Sequence, residues 1–197
     1  MRNIRNNPAT GKAQQGGFTL VELIVVIAIG FGIIFLAMTK IPQLLANSRA
    51  SGEITELPGI AAEMQRIAAN RPNWSTFTID SMIRNNAFPE NRVTIPAGAG
   101  AASAQNRWGG AITFASAQIT NTGDIARITY SAVPQRECKT VALGVAQVFR
   151  RVYVDGANSG TAGAGTLVKA DGQRVDEAQV GTACSGETNS MTFDLAK

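Results

Sequence analysis

The first pattern along the chain is an apolar run with one charge. From Phe18 to Met38 there are 21 residues, and Glu22 is the only charged one. A helix rises about 1.5 Å per residue, so this run spans roughly 31 Å, close to the hydrocarbon thickness of a bilayer. The run therefore predicts a helix that can cross a membrane.

Beyond Lys40 the pattern becomes amphipathic. Apolar residues recur at spacings of three and four with charged residues between them, which is typical of a helix with one buried stripe; the stripe comprises Ile54, Leu57, Ala61, Met64 and Ala68. We expect the helix to continue to about Asn70, where Arg71-Pro72 follows. Pro42, Gly52 and Pro58-Gly59 are expected to kink or locally break it.

The distal part of the chain mixes helical and strand patterns. Thr78 is a suitable cap for a short helix over 79–84, and alternation predicts strands over 111–116, 126–133 and 191–195, the first two joined by turn residues 121–124. A second amphipathic helix is predicted over 137–154, ended by Asp155-Gly156. Residues 96–104 and 156–166 are predicted loops, the latter flexible and exposed. We expect an α+β fold with an antiparallel sheet between the two helices.

Composition argues against catalysis. The chain has no histidine, which excludes His-based triads and HExxH zinc sites. The glycine clusters at 98–100 and 160–165 are not followed by Lys-Ser or Lys-Thr, and no calcium-loop pattern occurs. We therefore predict no enzyme activity, no catalytic residue, no cofactor and no metal.

The formal net charge says less about binding partners than its total suggests. The formal charge is +4, but three of the 18 basic residues (Arg2, Arg5 and Lys12) precede the apolar run. Without them, 15 basic residues face 14 acidic ones, a net of +1. Arg150-Arg151 with Lys139 can form a basic patch on the second helix, although such residues are more often its wet face. For Trp74 and Trp108, packing in the core or in a loop is a simpler assignment than a surface role in anchoring a receptor.

The flanking charges orient the apolar run. Basic residues before it and a single lysine after it favour a cytoplasmic N-terminus and an exported distal part. Cys138 and Cys184 can then form one disulfide, whereas in the cytosol they would be two free thiols. A secretory signal peptide is the alternative for the run, with a cut near Ala46 or Ala50.

Glu22 needs a partner if it enters a membrane. An unpaired acidic residue there costs on the order of 2.5 to 3.5 kcal/mol at the centre and less near the edge. A cut between Gly17 and Phe18 would create an α-amino group with a pKa of about 7.7 to 8. That amine can meet Glu22 of its own helix or of an adjacent copy, and the second choice makes assembly selective.

These residues resemble a known processing site. Gly16-Gly17 followed by Phe18-Thr19-Leu20-Val21-Glu22 and an apolar helix is similar to the N-terminus of type IV prepilins. The resemblance implies that a prepilin peptidase cuts after Gly17 and methylates the amine of Phe18, and that Glu22 guides docking into a filament. It also implies a long N-terminal helix packed on a head with an antiparallel sheet.

The distal part resembles the type IVb branch of that family. CKTVALGVAQVF and RWGGAITF are similar to head segments in which a cysteine opens a helix and is bonded to a second cysteine near the C-terminus, here Cys138 and Cys184. The 17-residue leader is intermediate in length, and Phe18 at the cut is commoner in the type IVa branch.

The resulting organisation has four segments. We expect a cleaved basic leader at 1–17, a hydrophobic transmembrane and assembly helix at 18–40, an amphipathic helix half at 41–70 and an α+β head at 71–197. The resemblance implies an inner-membrane prepilin that becomes the major subunit of an extracellular pilus.

The resemblance also implies partners and leaves alternatives open. The partners are further copies of the chain, the peptidase, an assembly ATPase with platform proteins, an outer-membrane secretin, and a host-cell or DNA ligand. A minor pilin or a type II secretion pseudopilin shares the same N-terminus, and an anchored adhesin or DNA-binding module is a further alternative. Adhesion, aggregation, conjugation and DNA transfer are all compatible with the sequence.

Overall fold

A computed structural model describes residues 17–197. The predicted leader residues 1–16 lie outside the described residues. The helices are α1 Leu20–Ala68, α2 Ile79–Arg84, α3 Gln135–Val145 and α4 Glu177–Ala183. The strands are β1 Val93–Thr94, β2 Ser103–Gln105, β3 Ala111–Ala117, β4 Ile125–Pro134, β5 Arg151–Asp155, β6 Thr166–Lys169 and β7 Thr188–Ala196. The chain divides into two compact units between Pro42 and Gln43.

The long helix is assigned without interruption from Leu20 to Ala68, so the predicted local breaks are wrong, while the predicted kinks stay a prediction. The helical assignment runs through Pro42, Gly52 and Pro58-Gly59. Gly52 is a contact point: a Cβ there would lie 2.6 Å from Cζ of Arg107, so the missing side chain lets that guanidinium approach the helix. The helix ends at Ala68, two residues before the predicted end.

The short helix and its cap are confirmed. Thr78 Oγ1 accepts a hydrogen bond from Ser81 N at 3.1 Å, and Thr78 N donates to Ser81 Oγ at 2.9 Å. This reciprocal pair satisfies two N-terminal amide groups, and α2 ends at Asn85 as the sequence predicts.

The sheet is antiparallel throughout, with strand order β1-β2-β3-β4-β7-β5-β6. The three predicted strands correspond to β3, β4 and β7, and the predicted hairpin joins β3 to β4. The alternation predicted for β4 holds through Tyr130 and then shifts at a bulge. Ala132 has φ 55° there and is half-buried, so Val133 rather than Ala132 returns to the core.

The second helix is shorter than predicted. It ends at Val145, and Arg151–Asp155 form β5, which pairs with β7. Val152 and Val154 are buried because alternate strand positions face the core, a pattern that the helical spacing of the valines disguised. β1, β2, β6 and α4 are too short to show a period in the sequence.

Both long helical segments of the head cover the same face of the sheet, so the predicted sandwich is wrong. Gly144 of α3 lies against Ile54 of α1, where a Cβ would be 2.5 Å from Cδ1 of that isoleucine. Phe149, just after α3, packs on Phe193 of β7, with ring centroids 5.1 Å apart. The opposite face carries polar side chains of β4 and β7 and is covered by the 156–165 loop. The predicted α+β architecture, with an antiparallel sheet and one disulfide, is confirmed.

Candidate functional site

The predicted processing bond lies just before the helix. Gly17, Phe18 and Thr19 are outside any helix or strand, and the Phe18 side chain is 82% exposed. No described atom approaches the position of a Cβ on Gly17 within 4 Å. As far as residues 17–197 show, the Phe18 side of the predicted cut is exposed.

Glu22 has a partner within its own chain. Glu22 N donates to Thr19 Oγ1 at 3.2 Å, while Thr19 N and Thr19 Oγ1 both lie 3.4 Å from Glu22 Oε2. This is a capping box around the first turn of α1, where a carboxylate also interacts favourably with the helix dipole. The T-x-x-E spacing before an apolar run is the sequence signal that could have revealed the role of Thr19.

The apolar half of α1 is exposed in the isolated chain. α1 is the one helix among the described residues that is long and apolar enough to cross a membrane, by length and composition. Large apolar side chains from Leu20 to Leu45 are about half exposed or more. Exposure of so much contiguous apolar surface marks a region that meets lipid or other protein.

The predicted disulfide is present. Cys138 in α3 is bonded to Cys184, which directly follows α4, and both residues are fully buried. The bond joins α3 to the segment that leads into β7. It closes a loop with a sequence separation of 46 residues.

A buried ionic cluster ties α1 to the segment that carries β1 and β2. Arg92 donates to both Glu53 carboxylate oxygens at 2.7 Å, and its Nη2 lies 2.6 Å from Glu56 Oε2. Arg107 pairs with Glu56. The side chains of Glu53 and Arg92 are 0% and 4% exposed. Burial, reinforced by Glu53, holds the pKa of the Tyr130 hydroxyl well above its usual value.

One aspartate binds several groups of the 156–165 loop, contacts that the sequence pattern did not indicate. Asp155 accepts hydrogen bonds from Ala157 N, Ser159 N and Ser159 Oγ at 2.5 to 3.0 Å. The Ser159 hydroxyl is the main reason that the pKa of Asp155 lies below its ordinary value. Gly163 N donates to Thr192 Oγ1, which anchors the loop over the outer face of the sheet.

Arg127 and Asp194 neutralise each other under this loop. Arg127 donates to both carboxylate oxygens at 2.7 and 2.8 Å, and Asp194 is fully buried. The hydrogen bond to Asp194 raises the pKa of Arg127. The guanidinium also lies 5.3 Å from the ring centroid of Tyr153. These groups form a closed structural pair on the outer face.

The basic patch predicted on the second helix is not assembled. Arg150 follows the helix and pairs with Asp171 at 2.6 Å, and Arg151 is in β5, while Lys139 alone is on α3. Trp74 is fully buried, and Trp108 is half-buried against the core, as the packing assignment expects. Within residues 17–197, no three His, Cys, Asp or Glu side chains are grouped to hold a metal ion.

Comparisons with known proteins agree with this architecture. The family described as "PilS N terminal" matches residues 47–196, and the family described as "Prokaryotic N-terminal methylation motif" matches residues 12–38. No curated protein matches the chain in sequence.

Two solved structures share the fold. The crystal structure of the type IVb pilin from Salmonella typhi is 20% identical, with a TM-score of 0.57, and the match covers 75% of this chain and 99% of that chain. The crystal structure of TcpA, a type IV pilin from the Vibrio cholerae El Tor biotype, is 13% identical, with a TM-score of 0.55, and the match covers 75% and 98%. At these identities the likeness concerns the fold.

Proposed function

The chain belongs to the PilS family of type IV pilins, in the type IVb branch, and from that premise we propose that it is the major subunit of a pilus. In this proposal it is made as an inner-membrane prepilin and polymerised into an extracellular helical filament. It acts as a structural subunit and not as an enzyme.

The observation that carries the proposal is the arrangement at the start of α1. The exposed Phe18, which directly follows Gly17, is followed within four residues by an acid and by an exposed apolar helix. The match of the methylation motif to residues 12–38 supports a cut at this bond and methylation of the new Phe18 amine by a prepilin peptidase.

Glu22 is proposed to guide docking. Its carboxylate is exposed, and its contacts with Thr19 at 3.4 Å are long, so it can still pair with the Phe18 amine of a neighbouring copy. In an apolar bundle, a misregistered copy would leave this carboxylate unpaired. The cap supplies a local partner until that contact forms.

The remaining machinery follows from the family. Neither glycine cluster is followed by the Lys-Ser or Lys-Thr of a Walker motif. An assembly ATPase with platform proteins is therefore proposed to supply the energy, and a secretin to provide the exit. The pilus would serve adhesion, aggregation, conjugation or DNA transfer, through a ligand on a host cell or on DNA.

The test is the N-terminal sequence and intact mass of the mature protein from cells that carry a prepilin peptidase. A start at N-methylated Phe18 is expected. A start near residue 47 or 51 would mean ordinary secretion and would remove the assembly role of Glu22. Sheared surface filaments built mainly of this chain support a major subunit, whereas trace amounts would indicate a minor pilin or a type II secretion pseudopilin.

A further inference from the structure

An open groove of ligand size lies beside β6. It has a volume of about 660 Å³ and is bounded by the C-terminal end of α3, the end of β6 and the segment that leads into α4. Small-molecule sites in proteins typically measure about 300 to 1,000 Å³. The groove is therefore large enough to hold a sugar residue.

One part of the groove surface is aliphatic. Leu143 of α3 is 40% exposed there, and Ala146 and Val175 contribute further apolar surface. This surface can cover a methyl or acyl group of a ligand. Among the described residues that line the groove, none is aromatic, so the ring of a neutral sugar finds no aromatic face to pack against.

Two cations also line the groove, Lys169 and Arg174. Lys169 Nζ already donates to the Arg150 carbonyl at 3.1 Å, and burial lowers the pKa of its ammonium group. Arg174 is exposed and forms no ion pair with any residue between 17 and 197. Arg174 is therefore the cation that is available to an anionic ligand.

Two acids that are close to this segment in sequence already have partners. Asp171 pairs with Arg150 at 2.6 Å. Asp176 caps α4 by accepting a hydrogen bond from Gln179 N at 3.0 Å. Glu177 is the one acid among the described lining residues, so two cations stand against one acid in the groove. This balance favours an anionic ligand over a neutral or cationic one.

The other polar groups favour a sugar over a peptide. A peptide that binds beside a strand needs free backbone groups along the strand edge. Here Asp176 N already donates to the Val168 carbonyl at 2.9 Å, and α4 packs beside β6, so that edge is occupied. Gln147 and Gln173 instead bring side-chain amides to the groove, and amides can both donate to and accept from hydroxyl groups.

We propose that this groove binds an acidic sugar that carries an acyl group, with the sugar carboxylate on Arg174 and the acyl methyl group on Leu143. The amides of Gln147 and Gln173 bind its hydroxyl groups. The inference rests on the proposed function and names the chemistry of a ligand on a host-cell surface.

Repetition along a filament compensates for the openness of the groove. One arginine–carboxylate pair and one covered methyl group together give a dissociation constant of about 1 mM or weaker. A filament presents the groove once in every copy of the chain. Many weak contacts then hold a cell surface that is rich in the sugar.

Titration of the full chain in detergent, followed by NMR, tests the site without requiring a filament. The probe is the methyl glycoside of N-acetylneuraminic acid, and its carboxylate methyl ester is the uncharged control. We expect saturable shifts of groove resonances with the acid and at least about tenfold weaker binding of the ester, since a charge-assisted hydrogen bond is lost.

Variants assign the contacts to residues. Arg174→Gln should weaken binding of the acid at least about tenfold, and Leu143→Ser about fourfold, the factor that corresponds to one buried methyl group. Arg136→Gln is the matched control and should change nothing, because Arg136 is also exposed and unpaired within residues 17–197 but does not line the groove. Unchanged resonances outside the groove verify that each variant is folded.

Contrary results are distinct from a failure of the proposed function. Absence of saturation at about 20 mM sugar, equal binding of the ester, or unchanged binding by Arg174→Gln would each overturn the acidic-sugar site. Tighter binding of a short peptide that ends in leucine would replace it with a peptide site.

A second measurement uses filaments sheared from cells. Arg174→Gln should leave filament yield unchanged and reduce adhesion to cells that carry the sugar, whereas a lower yield would place the groove in subunit packing and overturn the proposal. If the wild-type chain forms no filaments under a complete assembly machinery, the proposed function fails, and the titration still decides whether the groove binds the sugar.

Discussion

The apolar half of α1 and the head differ in whether their apolar side chains are buried and their charged side chains are paired within the chain. From residue 43 onward, the chain supplies its own core, pairs Glu53 with Arg92, and closes its cysteines into a disulfide. Within residues 17–42, the large apolar side chains are exposed, and the described contacts of the Glu22 carboxylate are with the hydroxyl and the amide of Thr19. One region is complete as a single chain, whereas the other acquires its partners from lipid or from further copies.

We expect the largest effect from a substitution in the apolar half of α1, whose side chains are exposed. Glu22→Gln removes the charge but keeps a side chain that can complete the capping box. We expect normal cleavage and almost no filaments, as for Glu22→Ala, because the docking charge is lost in both. The ratio of precursor to mature protein and the yield of sheared filaments measure the two steps.

Thr19→Ala supplies the control for this variant. It removes the cap and keeps the charge, at an expected cost of about 1 kcal/mol in local helix stability. Filament yield should fall less than in Glu22→Gln. Equal yields from Glu22→Gln and the wild type would mean that Glu22 is only a capping residue.

We expect the next largest effect from a substitution in the buried ionic cluster around Glu53 and Arg92. Glu53→Ala leaves Arg92 buried without its bidentate partner and should lower the free energy of unfolding by about 3 to 5 kcal/mol. Denaturant unfolding of the purified chain in detergent measures this loss. Glu63→Ala removes an exposed ion pair with Arg66 and should change stability by less than about 1 kcal/mol. A double Glu53→Met, Arg92→Met variant should lose less than Glu53→Ala, since the two most deeply buried charges of the cluster are removed together.

Loss of the disulfide should have a somewhat smaller effect. A bond that closes a loop of 46 residues of separation typically contributes about 2 to 4 kcal/mol. Cys138→Ser should lower the unfolding midpoint of the head, and Cys184→Ser should match it. Different midpoints for the two variants would show that one cysteine stabilises the fold by packing rather than by the bond.

The smallest effect compares two helical glycines. Gly144→Ala places a methyl group against Ile54 and should destabilise the head by about 1 kcal/mol, because overpacking outweighs the gain in helix propensity. Gly59→Ala meets nothing within 4 Å and should stabilise by up to about 1 kcal/mol. Opposite shifts of the thermal midpoint are expected, and a gain in both would show that α1 and α3 are free to separate.

Segments with a regular spacing of apolar residues were predictable from the sequence. Segments whose structure depends on contacts with distant residues were not. The apolar run, the stripe beginning at Ile54 and the strand alternation up to Tyr130 carry their structure in residue spacing. Val148 and Val152 continue the helical spacing of α3 by coincidence. Residues 151–155 form a strand instead, because they pair with β7. Gly52 resembles a helix breaker until Arg107, 55 residues later, is placed on it.

The candidate site divides in the same way. Gly17, Phe18 and Glu22 are adjacent in sequence, so a short motif identifies them. The Glu53–Arg92 cluster joins residues 39 positions apart, and Arg127 pairs with Asp194 across 67 positions. Their meeting depends on the strand order, which the local pattern does not encode.

The position of β7 determines when the head can complete its fold. β7 follows every other strand in the chain but lies between β4 and β5 in the sheet. Until residues 188–196 are in place, β1–β4 and β5–β6 remain two separate ladders with unpaired inner edges. Long-range pairing of this kind is slow, and exposed edges favour aggregation. A nearly complete chain is therefore exposed to misassembly until its last strand arrives.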